Sequence, residues 1–149
     1  MSNNTAGHVY EIIVRSTPEN VWKAITDGKM TEQYYFNTRV ESDWKAGSAF
    51  RYYDQKGGLS SEGAIVEITP QSHLKTTWKP VWLSDGQPST LIWDIQPLGS
   101  STLLKLTQTD IDDATFEGAQ MGMGWVFVLS SLKSLLETNK ALDVPEIFG

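Results

Sequence analysis

Apolar residues near the end of the chain recur at every third or fourth position: Met121, Trp125, Val128, Leu129, Leu132, Leu135 and Leu136. That spacing puts them on one side of an α-helix, and no proline interrupts the run from Leu98 to Val144. A helix with so broad an apolar stripe must lie against a large apolar surface. Gly122 and Gly124 sit inside the same run. Glycine inside a helix costs roughly 1 kcal/mol relative to alanine, so either the backbone needs a close approach, kink or open end there, or the helix starts late, near Gly124.

Upstream the period shortens to that of strands. Val9–Arg15 is rich in β-formers and predicts a first strand. Ser16-Thr17-Pro18-Glu19 then offers a cap, a proline and an acid for a helix start. Val21, Trp22 and Ile25 mark a short helix closed by Asp27-Gly28, and a second short helix is expected from Met30 to Phe36. Strands follow at Arg39–Ser42, Ser48–Asp54, Ser60–Ile68, His73–Lys79, Thr90–Gln96 and Thr102–Thr109. Turns rich in glycine, proline, serine and lysine separate them, and Val81 to Gly86 reads as a loop carrying Trp82-Leu83. Closely spaced strands before a terminal helix predict an α+β domain with one antiparallel sheet. Sheet curvature can leave a cavity under such a helix.

Alternation assigns faces within the strands. With Leu104 and Leu106 inward, Lys105 points out; with Trp93 inward, Asp94 points out; His73, beside Leu74, should be solvated. Arg51 and Glu62 are then the charged candidates for a cavity interior, where they would pair across their hairpin, and the favoured competing reading is a structural ion pair or a solvated face. Trp78, Trp93, Phe50 and Tyr52 lie on strands and are candidates for the cavity wall, together with Trp125, Val128, Leu129 and Leu132 of the helix. For each of these the competing role is plain core packing. Trp44, Trp82 and Leu83 fall in loops, which suits a cavity rim or a partner surface.

At 149 residues the chain fits a single domain, 1–149, with residues 1–7 as a flexible lead-in. No apolar run approaches the roughly 18 residues needed to cross a bilayer, and the N-terminus lacks the basic and apolar parts of a signal peptide. A cytoplasmic location without membrane insertion is the expectation. Cysteine is absent, which excludes disulfides, thiolate catalysis and cysteine-ligated metals. Two histidines without partners at ligand spacing give no metal site, and no cofactor is expected. A net charge of −6 without a basic cluster argues against nucleic acid. No nucleophile elbow, phosphate loop or metal spacing is present, so nothing in the motifs selects a catalytic residue.

Three segments resemble the START-like (SRPBCC) superfamily with the helix-grip fold, and within it the AHSA-type domain shared with the activator of the ninety-kilodalton heat-shock chaperone ATPase. They are the helix segment from Ser16 to Asp27, the strand-turn-strand of Gly63–Pro70 with His73–Trp78, and Gly124-Trp125 with Leu129, Leu132, Leu135, Leu136 and Glu137. The resemblance covers about residues 9 to 140. It implies a curved antiparallel sheet of about six or seven strands wrapped around a long C-terminal helix, with two short helices after the first strand. Tyr34-Tyr35 stands where a tryptophan is expected, which makes Tyr34 a candidate at the cavity mouth.

What the resemblance implies for function is a small apolar partner, lipid-, sterol- or polyketide-like, held between sheet and helix without defined catalysis. Two alternatives go with it: a co-chaperone-like module that contacts a chaperone or a second copy of the chain, and a cyclase or hydrolase of a hydrophobic substrate. The cavity reading requires free space under Trp125 and Leu129.

Overall fold

The computed structural model describes residues 7–83 and 87–148. The expected lead-in lies outside them except for Gly7, as does the end of the Trp82-Leu83 loop. Seven strands form one antiparallel sheet: β1 (His8–Val14), β2 (Arg39–Ser42), β3 (Ala49–Tyr53), β4 (Leu59–Thr69), β5 (His73–Pro80), β6 (Ser89–Leu98) and β7 (Ser101–Thr109). Their order is β1-β7-β6-β5-β4-β3-β2. Helices α1 (Pro18–Thr26) and α2 (Gly28–Tyr34) follow β1; α3 (Asp113–Gly118) and α4 (Met121–Thr138) follow β7. This is the curved α+β helix-grip architecture expected from the sequence.

The period-two pattern decides which side of the sheet is core. Leu74, Thr76 and Trp78 of β5, Leu91, Trp93 and Ile95 of β6, and Leu104, Leu106 and Gln108 of β7 all face inward and are buried. Against them lie Trp125, Val128, Leu129, Leu132 and Leu135 of α4, while Phe127, on another side of the helix, stacks on Phe36 at 5.3 Å. Full burial of each such side chain is worth about 1.5–3 kcal/mol. The far end of α4 is tied to β1: Glu137 accepts from the Arg15 amide at 2.7 Å, and Lys133 bonds the Ile13 carbonyl.

Several local expectations need correction. Helix α2 starts at Gly28 because Asp27, which also ends α1, accepts from the Lys29 amide; it stops at Tyr34, ahead of the left-handed Phe36 and Asn37. Short α3, capped by Asp112, was not foreseen. Helix α4 does not start late: it begins at Met121, and Gly122 marks a close approach, since a Cβ there would meet the Tyr10 hydroxyl at 3.1 Å. Arg51 and Glu62 do pair, at 3.4 Å, but on the outer face, each about half exposed. Phe50 and Tyr52 take the inward positions of β3, so Arg51 between them must point out.

The outer face carries a row of alternating charge. Glu11, Lys105, Asp94 and His73 are cross-strand neighbours on β1, β7, β6 and β5. His73 is not simply solvated: Nδ1 meets Asp94 at 2.7 Å and Nε2 meets Glu67 at 2.8 Å. A carboxylate on each ring nitrogen favours the doubly protonated imidazolium. The hydrogen bonds to Asp94 and then Glu67 raise the His73 pKa above 6.5, and the bond to His73 lowers that of Glu67 below 4.5.

Two predictions follow from these contacts. His73 stabilises the fold fully below its unfolded pKa near 6.5, and this contribution disappears as pH rises through the higher folded value. The Glu67 contribution has the opposite sign, present above 4.5 and lost as pH falls. Urea melts should therefore show the wild-type advantage over His73→Gln largest between these two values and shrinking as pH rises beyond the upper one; a difference independent of pH would refute the ion pairing. Gly63→Ala should lower stability by about 1–3 kcal/mol, because its Cβ would overlap the Thr77 carbonyl oxygen and the Phe50 ring.

Candidate functional site

Among the described residues, the space between α4 and the sheet opens at the N-terminal end of the helix. At the middle and far end, Val128, Leu129 and Leu132 are 0–2% exposed, in the core cluster. A gap of about 10 Å³ remains among Phe50, Tyr52, Trp78 and Trp93. That is at most the room of one water. Toward the N-terminus of α4 the packing stops, and a cavity of about 420 Å³ opens, within the size range of small-molecule sites.

The cavity wall comes from five parts of the chain. Met121, Gly124 and Trp125 belong to α4, and Ala119 and Gln120 to its lead-in from α3. Tyr35, Phe36 and Thr38 follow α2. Ser60 and Ser61 open β4, while Trp78 and Pro80 close β5. Trp82 and Ile147, 60% and 61% exposed, stand at the rim. Chain folding explains the placement of Ile147. After the left-handed Asn139 the chain turns back, and the Leu142 amide donates to the buried Ser131 hydroxyl at 3.0 Å. The tail then reaches the cavity in the short 3-10 turn Glu146–Phe148.

A buried polar chain fixes the inner wall. Trp125 Nε1 donates to Gln108 Oε1 at 2.8 Å, and Gln108 Nε2 donates to Ser89 Oγ at 3.1 Å. Ser89 in turn donates to the Trp78 carbonyl at 3.3 Å. Gln108 is 0% exposed. Trp78 tilts over Trp125 with ring centroids 5.2 Å apart, and its own Nε1 is buried without a hydrogen-bond partner among the described residues. Behind the other wall Tyr34 donates to the Ala24 carbonyl at 2.8 Å, and Tyr35 stacks on Tyr52 at 4.5 Å.

No lysine, arginine, histidine, aspartate or glutamate lines the cavity among the described residues. Its one titratable group is Tyr35, whose pKa is driven well up by burial and then by the neighbouring Tyr52 and Tyr34. Burial also raises Tyr52, although its hydrogen bond with Tyr35 pulls the other way. Both phenols are thus neutral at physiological pH, and neither is a ready base.

Of the residues proposed from sequence for the wall, Trp125 and Trp78 line the cavity. Val128, Leu129 and Leu132 are buried in the core cluster, so the free space expected under Leu129 is filled. Trp93, Phe50 and Tyr52 surround only the small gap. Tyr34 turns inward to Ala24, and Tyr35 takes the wall position instead. Trp82 stands at the rim, whereas Trp44 and Leu83 pack against the core. Sequence reasoning missed Ser61 and Gln108, although alternation carries the signal. Each is a polar residue at an inward position, Gln108 in the same row as Leu104 and Leu106.

A family model described as "Activator of Hsp90 ATPase homolog 1-like protein" matches residues 15–137. The chain belongs to that family. Solved structures of similar fold include CalU16 from Micromonospora echinospora, 18% identical over 95% of this chain and 78% of that one, with a TM-score of 0.75. DynU16, a protein from the dynemicin biosynthetic locus, is 20% identical with a TM-score of 0.77, covering 94% of this chain but 49% of that one. The Aha1 dimer from Colwellia psychrerythraea is 17% identical with a TM-score of 0.74, covering 91% and 99%. No curated protein matches the chain significantly. None of the described helices is long and apolar enough to cross a membrane.

The polar chain behind the wall makes a specific prediction. Gln108→Leu leaves the Trp125 indole N–H without its acceptor, and an unsatisfied buried donor costs about 1–3 kcal/mol. Thermal melts should show that loss, and the Trp125 indole N–H signal should move in the NMR spectrum. An unshifted signal would show that the bond does not form in solution.

Proposed function

We propose that this domain binds a small hydrophobic or aromatic molecule in the cavity between the first turn of α4 and the ends of β4 and β5. The observation that carries this reading is the cavity itself. It has about 420 Å³ of free space lined mainly by Trp78, Trp125, Tyr35 and Phe36, against about 10 Å³ in the gap beside Trp93. Burial of apolar ligand surface supplies the affinity, at roughly 25 cal/mol per Å² before the costs of immobilisation. The fold shared with DynU16, which comes from a biosynthetic locus, agrees with a small-molecule role without specifying the molecule. The wall offers no pair of ionisable groups for acid–base work, which favours binding over turnover.

Tryptophan fluorescence and thermal shift across fatty acids, flavonoids, sterols and polyketides test the proposal. A true ligand should quench saturably and raise Tm, because it binds only the folded state. Trp125→Ala should weaken that ligand at least tenfold. Silence across the panel by the folded protein would overturn the reading in favour of a protein-interaction module.

A further inference from the structure

The chain that follows α4 runs back along the helix and ends at the mouth of the cavity. It bears on access to the site proposed above, so the inference rests on that reading. Ser131, Ser134 and Thr138 share one face of α4, spaced by three and four residues. Their hydroxyls hold the returning chain. Ser134 Oγ donates to the Lys140 carbonyl at 2.6 Å, and Thr138 Oγ1 reaches the same carbonyl at 3.4 Å. Ser131 Oγ accepts from the Leu142 amide at 3.0 Å. Ser131 is fully buried, so this last bond is shielded from competing water.

Beyond Leu142 the hold ends. Among the described residues, nothing from Asp143 onward makes a hydrogen bond or ion pair with the rest of the protein. The helix face that carries the hydroxyls continues through Phe127 to Gly124, which lines the cavity. Chain from Leu142 to Ile147 can extend to about 17 Å, whereas Ser131 and Gly124 are about 10 Å apart along α4. The segment therefore has slack. Pro145 restricts its own φ and the backbone of Val144, so the 3-10 turn Glu146–Phe148 has a stiff entry. Ile147 lines the cavity and is nevertheless mostly in water, as is Trp82, the other exposed rim residue.

We infer that residues 143–148 form a strap that closes over the cavity, hinged just beyond the Leu142–Ser131 bond, with Ile147 as the closing residue beside Trp82. While the cavity is empty, inward movement gives Ile147 little to bury against. An apolar occupant supplies that surface, so occupancy favours the closed strap. Closure in turn slows release of the occupant. Ser131 does not line the cavity. It is a positioning residue that acts through the strap.

Stopped-flow release of N-phenyl-1-naphthylamine, an uncharged dye that brightens in apolar surroundings, tests the strap. Ile147 is exposed, so the fold tolerates Ile147→Ser. That variant should release the dye about three- to tenfold faster than the wild type. Ser131→Ala should speed release by a similar factor from outside the cavity wall. The double variant should be no faster than Ile147→Ser alone, because the anchor works only through the closing residue. Val126→Ser, on an exposed position of α4 away from the cavity, should leave release unchanged. In the wild type, amide hydrogen exchange at Glu146–Phe148 should slow when the dye is bound. Unchanged release from Ile147→Ser would overturn the strap and leave the cavity reading standing. So would factors that multiply in the double variant, or exchange at 146–148 that ignores the dye. A folded wild type that never brightens the dye would overturn both.

Discussion

The seating of α4 in the concave face of the sheet is the contact on which the rest of the molecule depends. Val128, Leu129 and Leu132 are buried in one core cluster with the inward rows of β5, β6 and β7. This contact sets the register requirement for every central strand. A slip by one residue would present Lys105, Asp94 and His73 to the helix in place of Leu104, Trp93 and Leu74. The ties of Glu137 and Lys133 to the end of β1 complete the seating at the far end.

The cavity is what remains where that seating ends. Near Met121 and Trp125 the helix still touches the sheet, through Gly122 beside Tyr10 and Trp125 on Gln108, and the rest of the wall is supplied by loop-borne and strand-end side chains. Gln108, held between Trp125 and Ser89, keeps the inner edge of the opening from collapsing into the core. The division of labour along α4 is therefore axial: its later turns hold the fold together, and its first turn faces the space.

Much of the fold was legible in the sequence, for a physical reason. Strand alternation and the helical stripe are both produced by burial against the same interior, so Leu104 with Lys105, Trp93 with Asp94 and the α4 stripe identify the core and its two sides consistently. The site was much less legible. Periodicity says that Leu129 faces inward but not whether another side chain touches it, since filled and empty interior carry the same apolar pattern. Cavity position depends on where packing stops, and that is fixed by Phe36, Gln120 and Ile147, which lie at element ends where periodicity gives out. For Arg51 and Glu62 the ion-pair reading holds and the interior one does not, because Phe50 and Tyr52 claim the inward positions of β3. Gln108 and Ser61 were the readable exceptions, polar residues in apolar rows.

The charged row on the outer face has a consequence for how the protein behaves among its own copies. A broad antiparallel sheet with one open face is prone to laminate, sheet upon sheet, if that face is apolar. Glu11, Lys105, Asp94 and His73 cross the middle of the face in alternating sign, with Glu67 bonded at the end. Stacking a second sheet there would strip water from all of them at once, against a gain from only scattered residues such as Val9 and Ile13. With His73 already paired to Asp94 and Glu67 inside one molecule, this row makes stacking of a second sheet costly.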